Sequence, residues 1–318
     1  MKKLLIVDGQ NMFIRNYVLS PAMDLNGNPI GGLAGFLKSL QKEIRETSPD
    51  KVIICWEGPG GSARRRAVNK QYKTGRKAPR LNRQFQMPTA EEEKANKLRQ
   101  QLRLMEYLEQ MPVVQLSLEG QEADDVIGWL CRSSMFKGWS KIIVSSDKDF
   151  IQLCDDETIL YRPVAKEVLN KKRIVEKFGI HPTNFALARA LVGDSSDNIE
   201  GIRGVGLKTV AKKFSFLSEE KSHSVQDLIK YSESNIKSSK VYEKVASACD
   251  LIKENYDLMQ LYSTNVSDQG RQKLLWALKN TGKDFSKYKI HVMMREDGIM
   301  NVNIEQMLTT MKRWQDDK

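Results

Sequence analysis

Nine carboxylates carry the chemical content of this chain. Three fall within four positions in Gln121-Glu122-Ala123-Asp124-Asp125, and the others follow apolar runs or sit in tight turns: Asp8, Glu57, Asp147, Asp149, Asp194 and Asp197. Like charges brought together repel one another and raise one another's pKa unless cations neutralise them. Hard divalent cations with oxygen ligands do so, and Mg²⁺ takes one or two carboxylates directly while keeping several waters. Two such ions about 3.5–4 Å apart would account for the surplus of acids, and pairs of that kind serve in-line displacement at phosphate. A single acidic cluster would read as a helix start, because free N–H groups and the helix dipole welcome acids in the first turn. Separate caps and turns explain any two of the five clusters, and not all five in a basic chain.

The segments around these acids say how they would be brought together. Leu4-Leu5-Ile6-Val7 runs into Asp8, Val52-Ile53-Ile54-Cys55-Trp56 into Glu57, and Ile142-Ile143-Val144-Ser145-Ser146 into Asp147. Apolar runs of this length read as buried parallel strands, and open α/β sheets place their ligand site at the strands' carboxyl ends. Further strands are expected at Pro112–Leu116 and Thr158–Tyr161, and helices at about Gly35–Glu46, from Val126, at Lys171–Phe178 and at Phe185–Val192. Thr89-Ala90-Glu91-Glu92 supplies a capping box for a helix whose Leu98, Leu102, Met105 and Leu108 read as core. Tyr288–Met294 is either a late strand or a buried helix end. The fold class is α/β, with a mostly parallel twisted central sheet and flanking helices.

Composition sets the partners. The 318 residues hold 51 Lys+Arg against 40 Asp+Glu, a net charge of +11, which points to a polyanion. Cys55, Cys131, Cys154 and Cys249 are widely spaced and read as reduced core residues, not as zinc ligands or a disulfide framework. With no secretory leader pattern and no apolar run of about 18 residues, neither export nor a membrane span is expected, and a cytoplasmic monomer is. From Gly58 to Ala90 there are nine cations and no acid: Arg64, Arg65, Arg66, Lys70, Lys73, Arg76, Lys77, Arg80 and Arg83, interleaved with Tyr72 and Phe85. A solvated face mixes signs, so this segment reads as a mobile grip on a single strand, with cations meeting phosphates and aromatics stacking on bases. Gly201-x-x-Gly204-x-Gly206 before Leu207-Lys208-Thr209 follows no strand and matches no nucleotide-binding fingerprint. It fits a helix-hairpin-helix that offers backbone N–H groups to a phosphate.

These pieces together resemble the 5′-nuclease family: flap endonucleases, the 5′–3′ exonuclease domain of bacterial DNA polymerase I and, closest, stand-alone bacteriophage 5′-exonucleases such as T-even phage ribonuclease H. The matching motifs are Val7-Asp8-Gly9 with Asn11, Tyr72-Lys73-x-x-Arg76, Glu122-Ala123-Asp124-Asp125, Ser146-Asp147-Lys148-Asp149-Phe150, Gly193-Asp194-Ser195-Ser196-Asp197-Asn198 and Gly201 through Thr209. They keep the family's order from residue 4 to about 214. The resemblance implies a catalytic domain over 1–180 with a helical arch near 60–100, and a helical region over 181–318 with the helix-hairpin-helix at about 185–214 and a C-terminal extension. It implies two Mg²⁺, with Mn²⁺ able to substitute, and a monovalent cation such as K⁺ at the hairpin. One departure is Glu57, where the family usually carries Asp.

The implied activity is hydrolysis of phosphodiester bonds at 5′ ends or flaps of DNA and RNA-primed duplexes, with ribonuclease H-type primer removal in replication. Asp8, Glu57, Glu122, Asp124 and Asp125 would organise the first metal, and Asp147, Asp149, Asp194 and Asp197 the second. Lys73, Arg76 and Arg65 would polarise the scissile phosphate, and Tyr72 would stack on a base. Arg64, Arg66 and Lys70 would hold the single strand, and Gly201, Gly204, Gly206, Lys208 and Thr209 the duplex. Partners would be DNA and RNA–DNA hybrid at single-strand/duplex junctions, with a single-strand-binding protein or sliding clamp. Two rivals remain: a related single-strand ribonuclease, against which the duplex clamp argues, and a non-catalytic junction-binding protein, against which the intact carboxylates argue.

Overall fold

The computed structural model describes residues 1–76, 78–263, 266–282 and 286–311. Six strands, β1 (Lys3–Asp8), β2 (Lys51–Cys55), β3 (Val114–Leu116), β4 (Ser140–Val144), β5 (Thr158–Arg162) and β6 (Glu167–Leu169), form one sheet in the order β3-β2-β1-β4-β5-β6. The first five are parallel and β6 is antiparallel. The chain winds outward from β1 through β2 and β3, then returns to β4 on β1's other side. That reversal is a topological switch point, where a crevice opens outside the strand ends.

The strands are continuous apolar runs because both of their faces are covered. In β1, Leu4 and Ile6 enter one cluster of buried side chains, and Leu5 and Val7 enter the other. Each fully buried Leu or Ile contributes roughly 1.5–3 kcal/mol. One face is covered by α1 (Gly9–Leu19), α2 (Gly31–Thr47), α4 (Ala90–Glu109), α13 (Lys287–Glu296) and α14 (Ile304–Met311). On the other face the sheet's side chains share one buried cluster with α5 (Ala123–Arg132), α6 (Lys171–Phe178), α7 (Phe185–Val192), α8 (Leu207–Lys213) and helices α9 (Val225–Asn235), α10 (Lys240–Ala246), α11 (Cys249–Met259) and α12 (Asp268–Asn280). That second cluster reaches from Leu4 to Leu278, so a single core crosses residue 180.

Several expectations need correction. Helix α1 starts directly at Gly9, where no helix was expected. Asp8 caps it, its Oδ1 accepting the Asn11 N–H at 3.0 Å. Tyr288–Met294, left open between strand and helix end, lies in a helix, α13. Leu98 and Leu102 are not core: they are 55% and 54% exposed. The face of α4 that packs inward carries Asn96, Gln100, Leu104, Tyr107 and Leu108 instead. Helix α2 lacks a side-chain cap of its own, and Gln100 Oε1 accepts the Gly32 and Leu33 N–H groups at 2.8 and 3.2 Å. Free amides at a buried helix start need acceptors, and Gln100 supplies one from the inward face of α4, beside Asn96, which donates to the Pro29 carbonyl at 3.1 Å. The expected arch holds a short helix α3 (Ala63–Val68) and the start of α4, joined by turns and irregular chain among the described residues; Lys77 lies outside those residues.

The end of β2 is fixed against the approach to α5. Gly58 N–H donates to the Gln121 carbonyl at 3.1 Å, and a Cβ on Gly58 would lie 1.8 Å from the Leu118 carbonyl oxygen. Backbone cannot step aside as a flexible side chain can. Gly58→Ala should therefore lower stability by roughly 3 kcal/mol, measured by urea unfolding; a change below about 0.5 kcal/mol would show that β2 and the 118–121 turn are not tightly joined.

Candidate metal centre and its basic surround

The acids sit where strand ends and helix starts meet at the switch point. Asp8 closes β1, 6% exposed, and its Oδ2 accepts the Ser145 hydroxyl at 2.9 Å. Asp124 opens α5 beside Glu122 and Asp125. After β4, Asp147 Oδ1 accepts the Asp149 N–H at 2.8 Å, and its own N–H donates to Ser145 Oγ at 3.1 Å. Asp194 follows α7, where its Oδ1 accepts the Ser196 N–H and hydroxyl at 2.8 and 2.7 Å. Asp147 and Asp194 are thus turn formers as well as candidate ligands. A cleft of about 530 Å³ is lined by Asn11, Ser146, Asp147, Asp194 and Asp197 with Arg189.

Electrostatics sorts six of the acids into two kinds. Burial pushes Asp8 up to about 6 against the hydrogen bonds from Asn11 and Ser145, and the charges of Asp147 and Glu57 add to the rise. Burial and the charges of Asp147 and Asp8 raise Asp124 well above the usual carboxylate range. Burial likewise raises Asp147, and with the Asp147 charge it lifts Asp149 to about 7 despite Arg189. Glu122 goes the other way: burial would raise it, but Arg65 and Lys73 hold it low. Asp194 is also held low, burial being outweighed by Ser196 and Arg189. Glu57 stands exposed at the end of β2.

Four of the cations are already engaged. Arg65, 3% exposed, donates through Nη1 to Glu122 Oε2 and Asp125 Oδ2 at 2.8 and 2.9 Å, and through Nη2 to Asp125 Oδ1 at 3.0 Å. Its Nε donates to the Leu258 carbonyl at 2.9 Å. Arg65 is therefore a buried clamp and presents no face to a phosphate, which corrects the expectation for it. Arg64 approaches Asp125 at 3.6 Å, whereas Arg66 and Lys70 are exposed. Lys73 Nζ donates to Glu122 Oε1 at 2.8 Å, and its backbone, at φ 56°, donates to the Asp197 carbonyl at 2.8 Å. Arg76, half exposed, donates to the Ser196 carbonyl at 3.0 Å and to Asp197. Tyr72 is 3% exposed, packs with Ile199, Leu258 and Met259, and donates to Glu122 Oε2 at 3.0 Å. Its ring is not offered to a base, a second correction: what read as an aromatic among surface cations is an anchor.

Gly193 to Gly206 forms the turn between α7 and α8. Gly201 is required there, because a Cβ would lie 1.9 Å from the Val192 carbonyl oxygen; Gly204 has φ +82°, and Gly206 precedes α8 with open space around it. Lys208 is exposed and Thr209 partly so, and Lys244 of α10 reaches across to the Arg203 carbonyl at 2.9 Å. Sequence reasoning missed Arg189, Ser62 and Ser145. Ser62 Oγ donates to Glu122 Oε1 at 2.5 Å. Arg189 bridges Asp149 and Asp194, at 3.1 and 2.5 Å. Its spacing of five before Asp194 was the available signal.

The residues present fit hydrated divalent cations. Among the described residues no three His, Cys, Asp or Glu side chains converge as a ready-made cage. Mg²⁺ does not require one, since it keeps several waters. The donors are oxygens, Asp8, Asp124 and Asp147 are each raised by burial and neighbouring acids, and the Ser146 hydroxyl is buried beside Asp147 without a protein partner.

The raised groups fix a pH dependence. Asp8 rises from 3.8 to about 6 and Asp149 to about 7, so between those limits the folded state binds more protons than the unfolded one, and their contribution to stability falls as pH rises. In metal-free protein, Asp8→Asn, which keeps a capping oxygen, should raise stability by about 1–2 kcal/mol near pH 8 and by little near about pH 4. Thermal unfolding in a chelator reads this; equal effects at both pH values would mean that Asp8 is not under charge stress.

Residues 3–179 match the family model described as 5′-3′ exonuclease, N-terminal resolvase-like domain. A 5′-3′ exonuclease of Buchnera aphidicola subsp. Schizaphis graminum is 36% identical over 219 residues, covering 67% of this chain and 71% of that protein. One from Aquifex aeolicus is 33% identical over 218 residues, covering 67% and 70%. The thermostable DNA polymerase I of Thermus aquaticus is 30% identical over 262 residues, 81% of this chain and 28% of the polymerase. Among solved structures, a flap endonuclease of bacteriophage T5 in complex with DNA and metal ions is similar over 96% of this chain and 99% of that one, at TM-score 0.64 and 16% identity. A T5 5′-exonuclease with bound zinc gives TM-score 0.61 at 17% identity, over 95% and 99%. These two likenesses carry the fold; the sequence matches carry the kinship, and the chain belongs to the 5′–3′ exonuclease family.

Proposed function

We propose that this chain is a Mg²⁺-dependent 5′-nuclease that cuts phosphodiester bonds at 5′ ends and flaps, including RNA-primed duplexes. The observation that carries the reading is the strained set Asp8, Asp124 and Asp147 at the sheet's switch point, flanked by Lys73 and Arg76. Two Mg²⁺, or Mn²⁺ in their place, would supply a water nucleophile and charge neutralisation at phosphate. Asp8, Asp124 and Asp147 would hold the first, with Glu57 at its exposed rim; Asp147, Asp149, Asp194 and Asp197 would hold the second. Glu122 and Asp125, with their oxygens taken by Arg65, Tyr72, Lys73 and Ser62, set the position of α5 and so of Asp124. Lys73 and Arg76 stand on Glu122 and Asp197 until a phosphate competes for them.

The turn from Gly201 to Gly206, with Lys208 and Thr209, would grip the duplex as a helix-hairpin-helix, with a monovalent cation such as K⁺. Arg64, Arg66 and Lys70 would meet the single strand. Primer removal at junctions, alongside a single-strand-binding protein or a sliding clamp, is the cellular role that fits. The described helices include none long and apolar enough to cross a membrane.

Cleavage of 5′-labelled flap, nicked and RNA-primed duplexes with and without Mg²⁺ tests the reading. Asp147→Asn should abolish cleavage while leaving junction binding within a few-fold, and full activity at saturating Mg²⁺ would contradict the metal role. Lys73→Ala should cut turnover on flaps by more than about ten-fold, whereas Lys208→Ala should weaken duplex affinity and lower the salt slope by about one unit. If the two variants behave alike, the arch and the clamp do not have separate roles.

A further inference from the structure

We infer that Arg189 is a built-in cation that keeps the second group of carboxylates from holding a divalent ion tightly until substrate is present, an inference that rests on the metal-centre reading above. Arg189 lies in the last turn of α7, its side chain 12% exposed. Its guanidinium is held on three sides: Nε donates to Asp149 Oδ1 at 3.1 Å, Nη2 to Asp194 Oδ2 at 2.5 Å, and Nη1 to the Gly193 carbonyl at 3.1 Å. Two acids from different elements are thereby joined by a charge that does not titrate away.

The remaining oxygens of the group are largely committed. Asp194 Oδ1 accepts the Ser196 N–H and hydroxyl, Asp147 Oδ1 accepts the Asp149 N–H, and Asp197 Oδ1 accepts from Arg76 and, at 3.4 Å, from Ser196. A carboxylate has about four lone-pair sites, so these bonds do not close the cleft to an ion. They do leave an incoming divalent cation with few unshared oxygens and a fixed positive charge on two of its prospective ligands. Asp8 differs in the charge of its partners: it accepts from Asn11 and Ser145, which are uncharged donors. Phosphate oxygens of a bound 5′ end would add the missing negative charge, so the second ion loads with substrate. Arg189 is thus a positioning residue that orders metal loading after strand capture.

The test is MnCl₂ titration of the full chain without nucleic acid, read by the electron paramagnetic resonance signal of free Mn²⁺ and by calorimetry. The parent and Arg189→Lys should show one tighter and one weaker class of site. In Arg189→Met, which has similar reach and no charge, the weaker class should tighten by about ten-fold or more, and by clearly more than the tighter class, which shares Asp147. Arg189→Gln, which keeps a donor for Asp149, tests the same expectation should Arg189→Met not melt cooperatively. A weaker class that is unchanged or loosened in a cooperatively melting neutral variant overturns the inference. No Mn²⁺ binding by the parent would instead overturn the metal-centre reading itself.

Discussion

Carboxylates that repel one another are held together at the end of a sheet, and much of the surrounding structure answers that constraint. Folded domains are stable by only about 5–15 kcal/mol, so several buried acids raised in pKa are a serious charge against the fold. Cations drawn from distant parts of the chain offset it. Arg65 meets Glu122 and Asp125, Lys73 meets Glu122, Arg76 meets Asp197, and Arg189 meets Asp149 and Asp194. Asp8, Asp124 and Asp149 nevertheless stay raised, with burial and neighbouring acids both acting on them.

Arg65 shows how such pairing becomes architecture. Removing one partner of a buried pair typically costs about 3–5 kcal/mol, because the other charge is left uncompensated. Arg65 also bonds the Leu258 carbonyl, and Tyr72 packs on Leu258 and Met259. Helix α3 is thereby tied to α5 and to α11, and the segment that follows it is anchored at its root. Lys73 and Asn198, both in the left-handed region, mark where that segment meets the Asp194–Asn198 turn. The Asn198 side chain donates to the Gln71 carbonyl at 3.1 Å and to Thr74 Oγ1 at 3.3 Å. Strained backbone of this kind persists where the surroundings over-determine it.

The acids and the strands that carry them were legible because both are local signals. Four apolar residues before an acid identify a buried strand whatever else the chain does, and α6 and α7 fall where their sequence placed them. Pairing was not legible. Arg65 and Glu122 are 57 positions apart, and nothing in a run of arginines says which one turns inward. Tyr72 followed its cationic neighbours into a surface reading, while its hydroxyl and ring were both needed inside. Leu98 and Leu102 failed for the complementary reason: the amides of α2 required Gln100 on the inward face, and the leucines were left outside. Helix α1 was missed because its opening Gly9-Gln10-Asn11 is weak in helix propensity, and the cap from Asp8 compensates.

The most direct measurement of the central claim is anomalous scattering from crystals of this protein soaked in Mn²⁺ together with a 5′-phosphorylated single strand. The account predicts one peak beside Asp8, Asp124 and Asp147, and a second between Asp147, Asp149, Asp194 and Asp197 close to the strand's phosphate. Ordered nucleic acid in the cleft with no metal peak at either group would contradict it.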